Sequence, residues 1–214
     1  MRLPRHFFAR DTRRVARELL GAVLVRILPG GARLSGRIVE TEAYCPGDSA
    51  AHAFRGRTAR NAAMFMRPGT AYVYFTYGMH FCFNVVTESE GAPAAVLIRA
   101  LEPLQGVELM RAHRARPVSP EPLPLSRGAA GDRDLCRGPA RLCQALQIDR
   151  AFDGADLCGR GAALFLERGQ SVPDGRVRAS ARIGVRGEPA ALSVEWRWFV
   201  AGCPYVSHPN RPST

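Results

Sequence analysis

Gly36–Tyr44 reads GRIVETEAY, an aliphatic and β-branched run that carries two glutamates two residues apart and ends on a tyrosine. In a strand the side chains alternate, so Glu40 and Glu42 are expected to share a face with Ile38 while Val39, Thr41 and Ala43 take the other. Two acids on one face of an otherwise buried strand need partners. Ion pairing to some of the 30 basic residues is the reading favoured for Glu40. For Glu42, at the strand end beside the aromatic wall of Tyr44, the functional reading is a carboxylate that orients and deprotonates water.

On the N-terminal side, AVLVRIL (22–28) and ARLSGRIVETEA (32–43) flank a PGG turn, which predicts a hairpin. Before it, DTRRVARELLG (11–21) predicts a helix that opens the domain, capped by Asp11 and closed by Gly21, with Val15, Leu19 and Leu20 on one face. On the C-terminal side, residues 48–60 are small, polar and basic, hence a loop, and residues 70–86 predict two strands broken at Tyr77–Gly78. APAAVLIRALEP (92–103) is a further strand interrupted by Arg99, LQGVELMRAHRA (104–115) has helical spacing, and GPARLCQAL (138–146) is a short helix with proline in its first turn. The proline- and glycine-rich stretch at about 114–134 is expected to be a flexible loop, and 207–214 a frayed tail. Strands and helices interleave without a βαβ rhythm. The expected fold over residues 1–214 is one α+β domain, a mainly antiparallel curved sheet with flanking helices and a protruding β-hairpin.

A formal charge of +11 points to a polyanionic partner, and the sequence contains no lysine, so every basic side chain is arginine. Planar guanidinium forks suit phosphate oxygens better than a membrane surface, and no side-chain amine is available for Schiff-base chemistry. The six cysteines (Cys45, Cys82, Cys136, Cys143, Cys158, Cys203) form no CxxC pair and no metal-ligand spacing with histidine. They are read as reduced thiols of a cytoplasmic protein, in keeping with an N-terminus that lacks the apolar core of a signal peptide.

VETEAY, a histidine loop, RNAAMFMRPGTAYVYFTYGMHFCFNV, AVLIRALEPLQG and RGPARLCQAL, in that order, closely resemble the alkyladenine (3-methyladenine) DNA glycosylase family over about residues 36–146. Any one block alone is weak evidence; their order makes the resemblance specific. It implies a monofunctional base-excision-repair enzyme, without metal or cofactor, for 3-methyladenine, 7-methylguanine, hypoxanthine and ethenoadenine. Such an enzyme flips the damaged purine from the duplex and hydrolyses its N-glycosidic bond. Glu42 is then the base that activates water, and Arg99 helps to hold both while favouring the ionised carboxylate. Tyr44, His52 and Tyr74 form the aromatic slot, in which electron-poor alkylpurines stack best, and Asn84 at the pocket floor opposes the exocyclic amine of guanine. Tyr77, with Gly78, Met79 and His80, works at the minor groove, the tyrosine entering the gap left in the stack. The sequence departs from the family pattern in a Tyr44-to-His52 loop shorter by one residue and in His80, where a bulky aromatic is expected.

The resemblance makes double-stranded DNA with a damaged purine the partner of a monomeric, nucleoid-associated protein that does not engage membranes. Two other classes are compatible with the same residues: a non-catalytic DNA-binding protein of the same fold, and a hydrolase of free nucleosides using Glu40 and Glu42.

Overall fold

The computed structural model describes residues 1–76, 78–115 and 131–207. A short helical turn, α1 (Arg5–Phe8), precedes the expected opening helix, α2 (Thr12–Glu18). Asp11 caps α2 by accepting from the amides of Arg13 and Arg14, each at 3.0 Å, and the helix buries Val15 and Ala16. Gly21 turns the chain at φ 87°, a conformation that suits glycine, and passes it into β1 (Val23–Ile27). β1 pairs with β2 (Arg33–Tyr44) across the PGG turn.

The remaining strands are β3 (Ala71–Thr76), β4 (His80–Val86), β5 (Ala95–Gln105), β6 (Leu164–Glu167), β7 (Val177–Ser180) and β8 (Arg197–Val200). All pair antiparallel, in the order β3-β4-β5-β2-β1-β6, with β8 joining β2 and β7. The α+β reading therefore holds. Helices α3 (Val107–Ala115) and α4 (Pro139–Leu146) pack on each other and α4 on β4 and β5, while α5 (Pro189–Ser193) lies just before β8. Ile38, Val73, Phe83, Val85, Val96 and Ile98 of the sheet form the main core with Val15 and Leu19 from the α2 segment and Leu142 and Leu146 of α4. No helix among the described residues is long and apolar enough to cross a membrane.

β2 is not regular. Its pairing with β5 runs Ile38↔Leu101, Glu40↔Ala100, Thr41↔Ile98, so Val39 is extra on β2 and Arg99 is extra on β5. The expectation that Ile38 shares a face with Glu40 and Glu42 is corrected by this bulge. Ile38 and Ala43 lie in the main core and Thr41 hydroxyl donates to Ala16 O at 2.9 Å, whereas Val39 packs with Ala100, Phe199 and Val206. An inserted residue shifts the two-residue period by one and re-aims the side chains beyond it.

Two expected segments are bounded differently in the structure. Arg114 and Ala115 end α3, and Asp132–Asp134 form a 3₁₀ turn tied to α3 by Arg111 Nε–Asp132 Oδ1 at 2.8 Å, so both ends of the expected 114–134 loop are regular; residues 116–130 lie outside the described residues. Ser207, expected to begin the tail, is held by hydrogen bonds to Glu40, and 208–214 lie outside the described residues. Tyr77, the tip of the expected protruding hairpin, also lies outside them, between antiparallel β3 and β4.

The opening stretch also sets a packing limit. A Cβ built on Gly36 lies 2.8 Å from Leu101 Cβ and 3.1 Å from Glu102 O, so only glycine lets β2 approach β5 there. Gly36→Val is expected to destabilise the protein by roughly 1–3 kcal/mol, read as a lowered denaturant midpoint with unchanged slope.

Candidate active site

Strand alternation sorts the sheet into a core face and a cavity face. Tyr72 faces Asn84 and Tyr74 faces Cys82 across β3 and β4, and Asn84 faces Leu97 across β4 and β5. These residues, with Ala95 and Arg99, line a cavity of about 730 Å³, and their odd- or even-numbered neighbours Val73, Phe83, Val85, Val96 and Ile98 fill the core behind them. The end of β2 adds Tyr44, the 48–60 loop adds His52, and the segment between β7 and α5 adds Ile183 to Arg186.

Glu42 is fully buried and held by three groups that line this cavity. Tyr44 hydroxyl donates to its Oε2 at 2.9 Å, Ile183 amide donates to Oε1 at 2.8 Å, and Arg99 Nη1 lies 3.2 Å from Oε1. Burial, then the charge of Glu42, pushes the Tyr44 hydroxyl well above its ordinary value, so it stays a donor at neutral pH. Burial opposes the charge of Arg99, yet Glu42 and Glu40 together raise it above its ordinary value.

Glu40, also fully buried, has a different environment. It accepts from Arg99 Nε at 3.0 Å, Arg197 Nε at 2.8 Å, Ser207 amide at 2.7 Å and Ser207 hydroxyl at 2.9 Å. Burial alone would push its carboxyl up, but Arg99, Arg197 and the Ser207 amide outweigh it and hold the group below the usual glutamate value. The two glutamates thus share Arg99 and differ in the rest.

His52 rests edge-on against Tyr74, with ring centroids 4.4 Å apart, and its Nδ1 lies 2.9 Å from Tyr72 hydroxyl. Partial burial, then the charge of Arg60, pushes the imidazole below its ordinary value, leaving it neutral at pH 7. Asn84 is buried and fixed by Nδ2 donating to Tyr72 O at 3.1 Å.

Of the residues expected from sequence, Tyr44, His52, Tyr74, Asn84 and Arg99 line one cavity and Glu42 sits against its wall. Gly78, Met79 and His80 are not among the residues that line it, although Thr76, the partner of His80, is. Gly78 has φ 68°, Met79 is exposed and His80 pairs with Thr76, so these three sit at the β3–β4 turn; Tyr77 is outside the described residues. Sequence reasoning missed Tyr72 as a cavity residue, and missed Arg197, Ser207, Arg182 and Ile183 altogether. Arg197 alone carried a signal, a charge within the apolar alternation of WRWFV, as Arg99 interrupts its own strand.

A methylpurine-DNA glycosylase family model matches residues 6–204, well beyond the span of the sequence motifs. The human DNA-3-methyladenine glycosylase is 48% identical over 217 residues, covering 98% of this chain and 69% of that protein. A protein of Burkholderia lata, named provisionally as a 3-methyladenine DNA glycosylase, is 49% identical over 208 residues, covering 97% of this chain and 91% of its own. A second such protein, from Carboxydothermus hydrogenoformans, is 45% identical over 207 residues, covering 97% and 99%.

Removing Glu40 leaves Arg99 and Arg197 buried without their shared counter-charge. Glu40→Gln is expected to cost roughly 3–5 kcal/mol of stability at pH 7, measured by chemical denaturation. Because the folded carboxyl is depressed, its stabilising contribution is full above the unfolded value of about 4.3 and is lost as pH falls through the folded one. The gap between wild type and variant should therefore close on acidification below about pH 4.3.

Proposed function

The chain belongs to the methylpurine-DNA glycosylase family, a base-excision-repair family, and from that membership we propose that it flips alkylated or deaminated purines out of duplex DNA into the cavity and hydrolyses their N-glycosidic bond. The observation that carries this reading is Glu42, buried without exposure and oriented by Arg99, Tyr44 and the Ile183 amide at the wall of an aromatic-lined cavity. A volume of about 730 Å³ falls within the range of small-molecule sites, and the +11 chain supplies the attraction for phosphate.

Water attacks C1′ of the deoxyribose and gives its proton to the Glu42 carboxylate. The C1′–N bond breaks with its electron pair going to the base, leaving free purine and an abasic sugar. The Glu42 charge also stabilises the oxocarbenium-like sugar of the transition state. For 3-methyladenine or 7-methylguanine the departing pair neutralises a cation, so no acid is required. Neutral hypoxanthine and ethenoadenine need a proton from elsewhere.

Tyr44, His52 and Tyr74 take the flipped base by stacking, worth about 1–3 kcal/mol per base, and Asn84 opposes the amine of guanine. Tyr77, with Gly78, Met79 and His80, fills the vacated position from the minor groove. Glu40 stands outside the chemistry because it is tied to Arg197 and Ser207, neither of which lines the cavity, whereas all three groups that hold Glu42 do; this weighs against a nucleoside hydrolase that pairs Glu40 with Glu42. Damaged duplex DNA is the partner, bound by a monomer that works in the cytoplasm on the nucleoid.

Duplexes carrying each of the four lesions, incubated with the protein and assayed for free base, test the activity directly. In that assay Glu42→Gln should lose about 10²- to 10⁴-fold in single-turnover rate while its affinity for the lesion duplex, followed by fluorescence anisotropy, changes little. Near-normal excision by this variant removes Glu42 from the mechanism.

With no lysine in the sequence, water is the nucleophile and no imine with the sugar is expected. The product should be an intact abasic strand that breaks only after alkali, and borohydride should trap no protein–DNA adduct during lesion turnover. A trapped adduct contradicts the mechanism.

A further inference from the structure

Tyr44 borders the cavity, but one of its ring faces is covered by a buried cation. The Arg182 guanidinium carbon lies 4.8 Å from the Tyr44 ring centroid and 5.3 Å from that of Trp196, and Arg182 does not line the cavity. Its side chain is fully enclosed. Nη2 donates to Asp48 Oδ1 at 3.0 Å and to Ala191 O at 2.9 Å, and Nη1 pairs with Asp48 Oδ2 and donates to Ala43 O at 3.0 Å, directly before Tyr44. Nε has no hydrogen-bond acceptor among the described residues. The guanidinium is fixed as a plate behind the tyrosine.

A cation on one face of an aromatic ring uses the same ring quadrupole that would attract a second cation on the other face. We propose that Arg182 determines specificity: its charge behind Tyr44 weakens the preference for cationic purines and keeps neutral ones competitive at the same site. This rests on the reading of Tyr44 as a wall against which the flipped base stacks. Asp48 opposes the effect, since its carboxylate offsets part of the charge.

The two partners therefore act in opposite directions, which separates an electrostatic role from a structural one. Single-turnover excision of 7-methylguanine, a fixed cation, and of hypoxanthine, neutral, is measured in one flanking sequence for wild type and variants. Intrinsic leaving-group differences cancel when each variant's cationic-to-neutral rate ratio is divided by that of wild type. Arg182→Gln should raise the ratio about three- to tenfold, the range that a cation–π contribution implies. Arg182→Lys should leave it within about twofold, since the charge remains. Asp48→Asn, which leaves the guanidinium charge uncompensated, should lower it.

A merely structural role slows both lesions together and leaves the ratio at the wild-type value. An unchanged ratio in Arg182→Gln, or a shift of the same sign in Arg182→Gln and Asp48→Asn, overturns the proposal. Should Arg182→Gln fail to fold by circular dichroism, the Asp48→Asn ratio decides alone. Wild-type release of both bases with unmoved ratios overturns this inference only, whereas release of neither overturns the glycosylase reading and this inference with it.

Discussion

Arg99 lies between two fully buried glutamates, its Nε on Glu40 and its Nη1 on Glu42, and the organisation of the site depends on that fork. Burying a carboxylate is costly unless its charge is countered and its oxygens are hydrogen-bonded. Arg197 and Ser207 complete Glu40, and Tyr44 and the Ile183 amide complete Glu42. Two guanidiniums thus meet two carboxylates, and the cluster draws β2, β5, β8, the 183 segment and Ser207 to one point. Glu40 takes the greater share of positive charge, which leaves Glu42 with a single arginine and two neutral donors. The division of labour between identical side chains follows from what each is given to bond.

The paired irregularities in β2 and β5 make the fork possible. In an uninterrupted ladder Arg99 would have a register partner of its own, whereas here it falls between Glu40↔Ala100 and Thr41↔Ile98 and can serve both acids. Beyond the bulge, regular alternation resumes and separates the sheet into a dry core and a cavity lined by Tyr72, Tyr74, Asn84 and Leu97. Two of the three register shifts in the β2–β5 pairing fall at Glu40, where the chemistry is proposed, as expected when a bulge re-aims side chains at a functional site; the third lies at Ser35–Gly36.

Not all of the 30 arginines are available to a polyanion. Arg99, Arg182 and Arg197 are buried in ion pairs, and Arg2, Arg26 and Arg182 cover the rings of Phe165, Phe152 and Tyr44. Arginine suits these internal tasks because its planar fork can bond in its plane while stacking on aromatic faces above and below it. The positive field felt by DNA comes from those arginines that remain at the surface, where ion pairs to acids contribute little to stability.

What the sequence determined by itself was local or periodic. The Asp11 cap, the PGG hairpin, the strands on either side of Gly78 and the proline-led α4 were legible because each is set by a few adjacent residues. The shared face of Glu40 and Glu42 followed from the two-residue period, and the family from motif blocks that keep residue types in order. The bulge at Val39 was not legible, since nothing in VETEAY marks where the partner strand adds or omits a residue. Nor were the partners of the acids: Ile183 lies 141 residues from Glu42, and Ser207 lies 167 from Glu40. The motif blocks had singled out Arg99, but only tertiary structure chose Arg182 and Arg197 from 30 arginines of equal intrinsic chemistry, because sheet register and chain return, rather than local propensity, decide which charges are brought within bonding distance.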